Sequence, residues 1–241
     1  MAHRYFLTQI NENIATVEGD EAHHLSRVMR IKPGDEVILC DTEGFDYAAV
    51  AKDVNDKVIT FDVLSKSKNL AEPDKNLTVY MALPKSDKLE FIVQKSCELG
   101  AKKLVPFISE YCVAQKSKKE DNKKARLAKI SAEAAKQCGR STPMEIGDTL
   151  TFKQLVQDLQ NNDVNLFFYE HADCPLKDVD FAGKNNVSVI IGSEGGFSEK
   201  ECEILAQNGV KTISLGKRIL RCETAAVSAV TLTMYTMGEM E

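Results

Sequence analysis

Ile190-Ile191-Gly192-Ser193-Glu194-Gly195-Gly196-Phe197-Ser198 and Leu215-Gly216-Lys217-Arg218-Ile219-Leu220-Arg221-Cys222-Glu223-Thr224-Ala225 are two glycine-bearing loops. Each follows an apolar run of strand character, and each precedes a helix-like segment. Side by side they would lie at the carboxyl edge of a parallel sheet, where open α/β sheets bind their ligands. Neither has the G-x-G-x-x-G spacing of a dinucleotide fingerprint or the G-x-x-x-x-G-K-S/T spacing of a P-loop. Glu194 would also repel a pyrophosphate. The glycines permit positive φ and close approach of backbone to ligand. A strand-to-helix turn that merely needs glycine is the plainer alternative. Ser198, with Glu201 three residues on, makes a capping box for the following helix.

Working outward, residues 77–241 alternate strand and helix signals. Strands are expected at 77–83, 104–108, 164–169, 187–191 and 211–215. After the first of them, Ser86 or Asp87 caps a helix in which Leu89, Ile92, Val93, Ser96, Cys97 and Leu99 recur at helical spacing, with Gly100 as its C′ residue. Further helices are expected at 120–137, 151–160, 198–208 and 224–237. Such alternation implies a mainly parallel sheet covered by helices. The first 70 residues differ. Asp20 can cap a helix carrying His23, His24, Leu25, Arg27, Val28 and Met29, ended by the Lys32-Pro33-Gly34-Asp35 turn. Strands at 36–40, 46–52 and 57–63 then suggest a small, partly closed barrel. The polar stretch 66–76 reads as a linker.

The 241 residues are 43% apolar with a net charge of −5, which argues against a general polyanion binder. Residues 102–140 nevertheless carry 11 Lys or Arg against 4 Asp or Glu. A solvated helix face and a phosphate-contacting strip both fit that run. Seven scattered cysteines without a C-x-x-C argue against a disulfide framework or zinc site, and fit thiols of a reducing compartment. No run is apolar enough to span a bilayer, and the N-terminus lacks a signal-peptide core. A cytoplasmic protein is the expectation. His23 and His24 point different ways on a helix and have no third ligand at metal spacing, so no metal is expected.

The ordered set Lys95-Ser96-Cys97-Glu98-Leu99-Gly100, Gln137-Cys138-Gly139-Arg140 and the two glycine loops resembles the RsmE family. These are SPOUT-superfamily methyltransferases acting on N3 of a uridine in 16S ribosomal RNA. His23-His24, Arg27-Val28-Met29-Arg30 and Pro33-Gly34-Asp35 extend the likeness to nearly the whole chain. The resemblance implies an α/β protein in two parts: a PUA-like RNA-binding barrel over 1–70, and over 74–241 a SPOUT domain with a deep trefoil knot, dimerising through it. It implies S-adenosylmethionine bound by Leu83, Pro84, Tyr169, Glu170, Ile191, Gly192, Ser193, Glu194, Gly195, Gly196, Leu215, Gly216, Ile219, Leu220, Arg221 and Thr224. Partners implied are 16S rRNA in the small ribosomal subunit and a second copy of the chain. Two departures stand out: Ser193 where the family usually has proline, and Lys136 at a position often acidic.

Uracil N3 must lose a proton before it attacks a methyl group, so the site needs a base or a group that steadies the anion. Arg221 is the electrostatic candidate, against an ion pair with Glu223 or a phosphate contact. Glu194 and Glu223 are candidate proton acceptors, against loop and cap roles. For RNA the candidates are Arg4, His24, Arg27 and Arg30 on one surface. Lys118, Lys119, Lys123, Lys124 and Arg140 form the other, through phosphate contacts. A ribose 2′-O-methyltransferase and a non-catalytic RNA-binding factor are the alternative readings.

Overall fold

The computed structural model describes residues 4–113 and 120–240. Lys118 and Lys119 therefore lie outside the described residues. The chain forms two compact units, one of residues 1–72 with 135–143, the other of 73–134 with 144–241.

The first unit holds β1 (Arg4–Phe6), β2 (Gln9–Asn11), β3 (Ile14–Glu18), α1 (Gly19–His23), β4 (Glu36–Cys40), β5 (Phe45–Val54) and β6 (Val58–Lys68). Its sheet runs β1-β4-β5-β6-β3-β2. Leu7 N–H donates to Cys40 O and the adjacent Thr8 N–H to Thr16 O, so the chain steps from one end of the sheet to the other and curls it. Alternation along β4 to β6 turns Val37, Leu39, Tyr47, Ala49, Ala51, Ile59 and Phe61 into one core with Leu25 and Ala22. The helix departs from expectation. Glu18, not Asp20, occupies its N-cap position, and no side chain caps it. It continues as a π-helical stretch, His24–Met29, and stops at Arg30 in the left-handed region (φ 54°), ahead of the Lys32 turn.

The return of 135–143 to this unit explains two cations. Arg140 is 3% exposed and its guanidinium donates to Glu72 Oε2 at 3.0 and 3.2 Å. Thr142 N–H adds a bond to Glu72 Oε1 at 2.7 Å. The expected phosphate contact at Arg140 is thus corrected: burial removes it from the surface. Lys136 lies 2.7 Å from Glu21 and over the Phe6 ring.

The second unit contains β7 (Asn76–Ala82), α2 (Lys88–Glu98), β8 (Lys103–Ile108), α3 (Glu120–Cys138, its end in the first unit), β9 (Glu145–Ile146), β10 (Leu150–Thr151), α4 (Phe152–Asp158), β11 (Val164–Phe168), β12 (Asn186–Ile191), α5 (Glu199–Gln207), β13 (Lys211–Ile213) and α6 (Cys222–Thr236). The sheet order is β10-β8-β7-β12-β11-β13, with β9 against β8 and all pairs parallel. Central strands β7 and β12 are buried along most of their length, as strands covered on both faces must be. Ser188, buried in β12, donates to Asn165 Oδ1 at 2.6 Å, which satisfies its hydroxyl. Asp87 holds the N-cap position of α2, though its side chain accepts no capping bond. Met81 pairs with Ile191, Ile191 with Phe168, and Phe168 with Ile213. Four strands therefore end in one row, and the chain leaves each at the same edge.

Replacing Arg140 by Ala leaves Glu72 without its buried partner, which should destabilise the first unit by roughly 3–5 kcal/mol. Urea unfolding reads this as a lower midpoint; an unchanged midpoint would return Arg140 to the surface.

Candidate active site

A cavity of about 410 Å³ opens at this row of strand ends. The chain leaving β11 contributes Tyr169 and Glu170, that leaving β12 contributes 192–197, and that leaving β13 contributes Leu215, Gly216 and 218–221. The first turn of α6 adds Cys222 and Ala225, and Lys88 reaches in from the start of α2. The two glycine loops thus share one hollow. Of the residues expected around it, Leu83, Pro84 and Thr224 lie outside the lining. Leu83 continues the β7–β8 ladder, its N–H donating to Phe107 O and its carbonyl facing Cys112 Sγ at 3.6 Å. Thr224 points out as an exposed residue of α6.

Each loop has a local reason for its shape. Ser198 and Glu201 form the expected capping box, and the other oxygen of the buried Glu201 accepts Glu110 N–H at 2.9 Å. Gly196 N–H closes a turn on Ser193 O, with Gly196 at φ +67°. Gly195, which lines the cavity, has a further reason beyond the expected one. A Cβ there would meet Tyr111 O at 2.7 Å, so the close approach is between two stretches of this chain's backbone. Ser193 is buried, and Cys112 Sγ–H points at its hydroxyl at 3.7 Å. Beneath the cavity Phe197 packs edge-on against Phe167, which stacks on Tyr169.

The electrostatics centre on Lys88. Its ammonium lies 2.8 Å from Glu194 Oε1 in the first loop and 3.1 Å from Glu223 Oε2 in α6. The third donor faces Cys222 Sγ at 3.9 Å. Lys85 N–H also donates to Glu194 at 3.2 Å. Hydrogen bonds to Glu194 and then Glu223 raise the Lys88 pKa. Burial pushes the Glu194 carboxyl upward, but bonds from Lys88 and from backbone N–H groups outweigh it and leave it below its ordinary value. Glu223 is lowered first by its own backbone N–H and then, against burial, by Lys88. Burial and Glu223 push the Cys222 thiol up to about 12, so it stays neutral. Arg221, at the N-cap position of α6, is exposed. Lys88, Phe168, Phe197 and Ala225 line the cavity unanticipated. Helical spacing from Arg221 points to Ala225, four residues on; nothing in the local pattern points to Lys88.

The candidate RNA residues are in varied settings. Arg4 is tied to Asp46 at 2.8 Å and Arg27 to Asp56, while His24 and Arg30 are exposed. Lys123 is exposed on α3, and Lys124 pairs with Asp148 at 2.6 Å. Among the described residues, no group of three or more His, Cys, Asp or Glu is placed to hold a metal, and no helix is long and apolar enough to cross a membrane.

Comparison with known proteins agrees with this architecture. Residues 71–234 match the family described as RNA methyltransferase domain, and 17–64 match RNA methyltransferase PUA domain. The chain is therefore an RNA methyltransferase built from these two domains. Ribosomal RNA small subunit methyltransferase E of Bacillus subtilis is 34% identical, covering 96% of each chain. The protein of that name from Buchnera aphidicola is 31% identical over 98% of this chain and 96% of its own. A Neisseria gonorrhoeae ribosomal RNA small subunit methyltransferase E, solved bound to S-adenosyl methionine, superposes with a TM-score of 0.89 at 25% identity, covering 98% of both chains. The chain belongs to the ribosomal RNA small subunit methyltransferase E family.

The Lys88 cluster makes the site's pH response predictable. Glu194 and Glu223 have folded-state values below the ordinary 4.5, so their contribution is present above 4.5 and lost as pH falls through the folded values. Lys88 is raised above 10.5, so its share is present below 10.5 and lost only at higher pH. Thermal melts across pH should show K88M losing the stability difference from wild type at acid pH. A difference independent of pH would contradict the pairing.

Proposed function

We propose that this protein transfers a methyl group from S-adenosylmethionine to N3 of a uridine in 16S rRNA of the small ribosomal subunit. The observation that carries the reading is the single cavity shared by both glycine loops at adjoining parallel strand ends. Its size lies within the roughly 300–1,000 Å³ of small-molecule sites. Its wall combines loop backbone, the Ile191, Leu215 and Leu220 side chains and the charges of Glu170, Glu194, Arg218 and Arg221, which suits a ligand with apolar and charged parts. The cofactor supplies an electrophilic methyl on a sulfonium.

The chain's own residues supply position and charge. The loops at 192–196 and 215–220 hold the donor, and in-line positioning can lower such a barrier by roughly 7–11 kcal/mol. Arg221 stands at the positive end of α6, where helix and guanidinium together favour an anion such as deprotonated uracil. Glu194 and Glu223 are ionised and paired with Lys88, which makes them weak bases. We therefore assign them to loop positioning and assign anion stabilisation to Arg221. Exposed His24, Arg30 and Lys123, with Lys118 and Lys119, are proposed phosphate contacts. A knotted C-terminal region fits β12 lying between β7 and β11, and a homodimer fits the exposed Leu232 and Tyr235 of α6.

Nucleoside mass spectrometry of small-subunit RNA from cells lacking the protein should show loss of N3-methyluridine, regained with the wild-type gene. Loss of a ribose 2′-O-methyl group instead would overturn the base-methylation reading, and no loss at all would favour a binding factor. Arg221→Ala should lower kcat by roughly 100-fold or more with donor affinity little changed. A normal kcat would remove Arg221 from the chemistry.

A further inference from the structure

We infer that Lys88 is a positioning residue that ties the first cofactor loop to the start of α6 and so holds the donor cavity in its binding shape. The inference rests on the methyltransferase reading above and adds to it a group acting from outside both glycine loops.

Three separate stretches of chain meet at one ammonium. Lys88 begins α2, Glu194 sits between the glycines of the first loop, and Glu223 lies in the first turn of α6. The distances, 2.8 Å and 3.1 Å, are those of charge-assisted hydrogen bonds. With Cys222 Sγ at 3.9 Å, each of the three ammonium donors has an acceptor. All three acceptors lie on the two segments that wall the cavity, while Lys88 comes from neither. A second tether, Lys85 N–H to Glu194, comes from the same turn before α2. These side chains are only about 21–29% exposed, so water competes less for them than at an open surface pair. The first loop has no other side-chain ion pair to α6 among the described residues. Without Lys88, two carboxylates would face each other across the gap, and their repulsion would open it.

This arrangement assigns Lys88 no contact with reacting atoms. It acts through Glu194 and Glu223, so its loss should weaken donor binding and leave the chemical step intact once donor is saturating. It should also loosen the loops in the free protein, whatever ligand they take. That second consequence separates the inference from the methyltransferase reading.

The test compares wild type, K88M, E223Q and the K88M/E223Q double variant. Hydrogen exchange on the free proteins follows peptides covering 192–197 and 215–223. Calorimetry measures S-adenosylmethionine affinity, and kcat is measured at saturating donor. Exchange in both peptides should quicken about tenfold in K88M, peptides of the first unit staying at wild-type rates, and donor Kd should rise by a similar factor with kcat within about twofold. E223Q should weaken donor binding in the wild-type background and, by removing the carboxylate repulsion, restore part of it in the K88M background. Unchanged loop exchange in K88M would overturn the clamp, as would additive effects of the two substitutions. A large fall in kcat with unchanged Kd would overturn it too, by making Lys88 catalytic. If loop exchange quickens while wild type fails to bind S-adenosylmethionine, the clamp stands and the methyltransferase reading falls.

Discussion

The parallel register of the second unit is the constraint on which the site depends. Because Met81, Ile191, Phe168 and Ile213 pair in one row, the chain must leave β7, β12, β11 and β13 at one edge. Parallel strands cannot be joined by tight turns, so each departing segment is free to be a long loop ending in a helix. Three of those departures border the cavity. The edge would serve any ligand; what makes it suited to a sulfonium donor and a uracil acceptor is the content of the loops.

That content divides the work between backbone and charge. Glycines let the first loop fold tightly and pass close to Tyr111, while Glu194, Glu223 and Lys88 settle where that loop stands relative to α6. With the carboxylates engaged by Lys88, Arg221 remains as the exposed cation at the helix start. The chemistry then rests on stabilising a base that has lost its proton, in keeping with electrostatic preorganisation as a large catalytic term.

Much of this was legible in the chain because local rules produce it. Ser198 and Glu201 announced their capping box, and the apolar runs around 77–82 and 187–191 announced buried strands. β1 to β3, of three to five residues each, are too short for periodicity to mark. Non-local facts were out of reach. Nothing in the spacing of Lys88 says that it meets residues more than a hundred positions away. Charge counting placed Arg140 on a basic strip, whereas its partner Glu72 lies far back in the chain and buries it. Gly195 was read as open to a ligand, and the chain also needs glycine there to pass Tyr111, which no spacing announces. The π-helical stretch after α1 likewise carries no local signal that separates it from an ordinary helix.

The most direct test of the shared cavity is an amide-resolved NMR titration of the free protein with S-adenosylmethionine. Perturbed amides should concentrate at 169–170, 192–197 and 215–222, with the opposite end of the sheet silent. Perturbations confined to one of the two loops, or centred on the far edge around 103 and 147–158, would contradict a donor held between them.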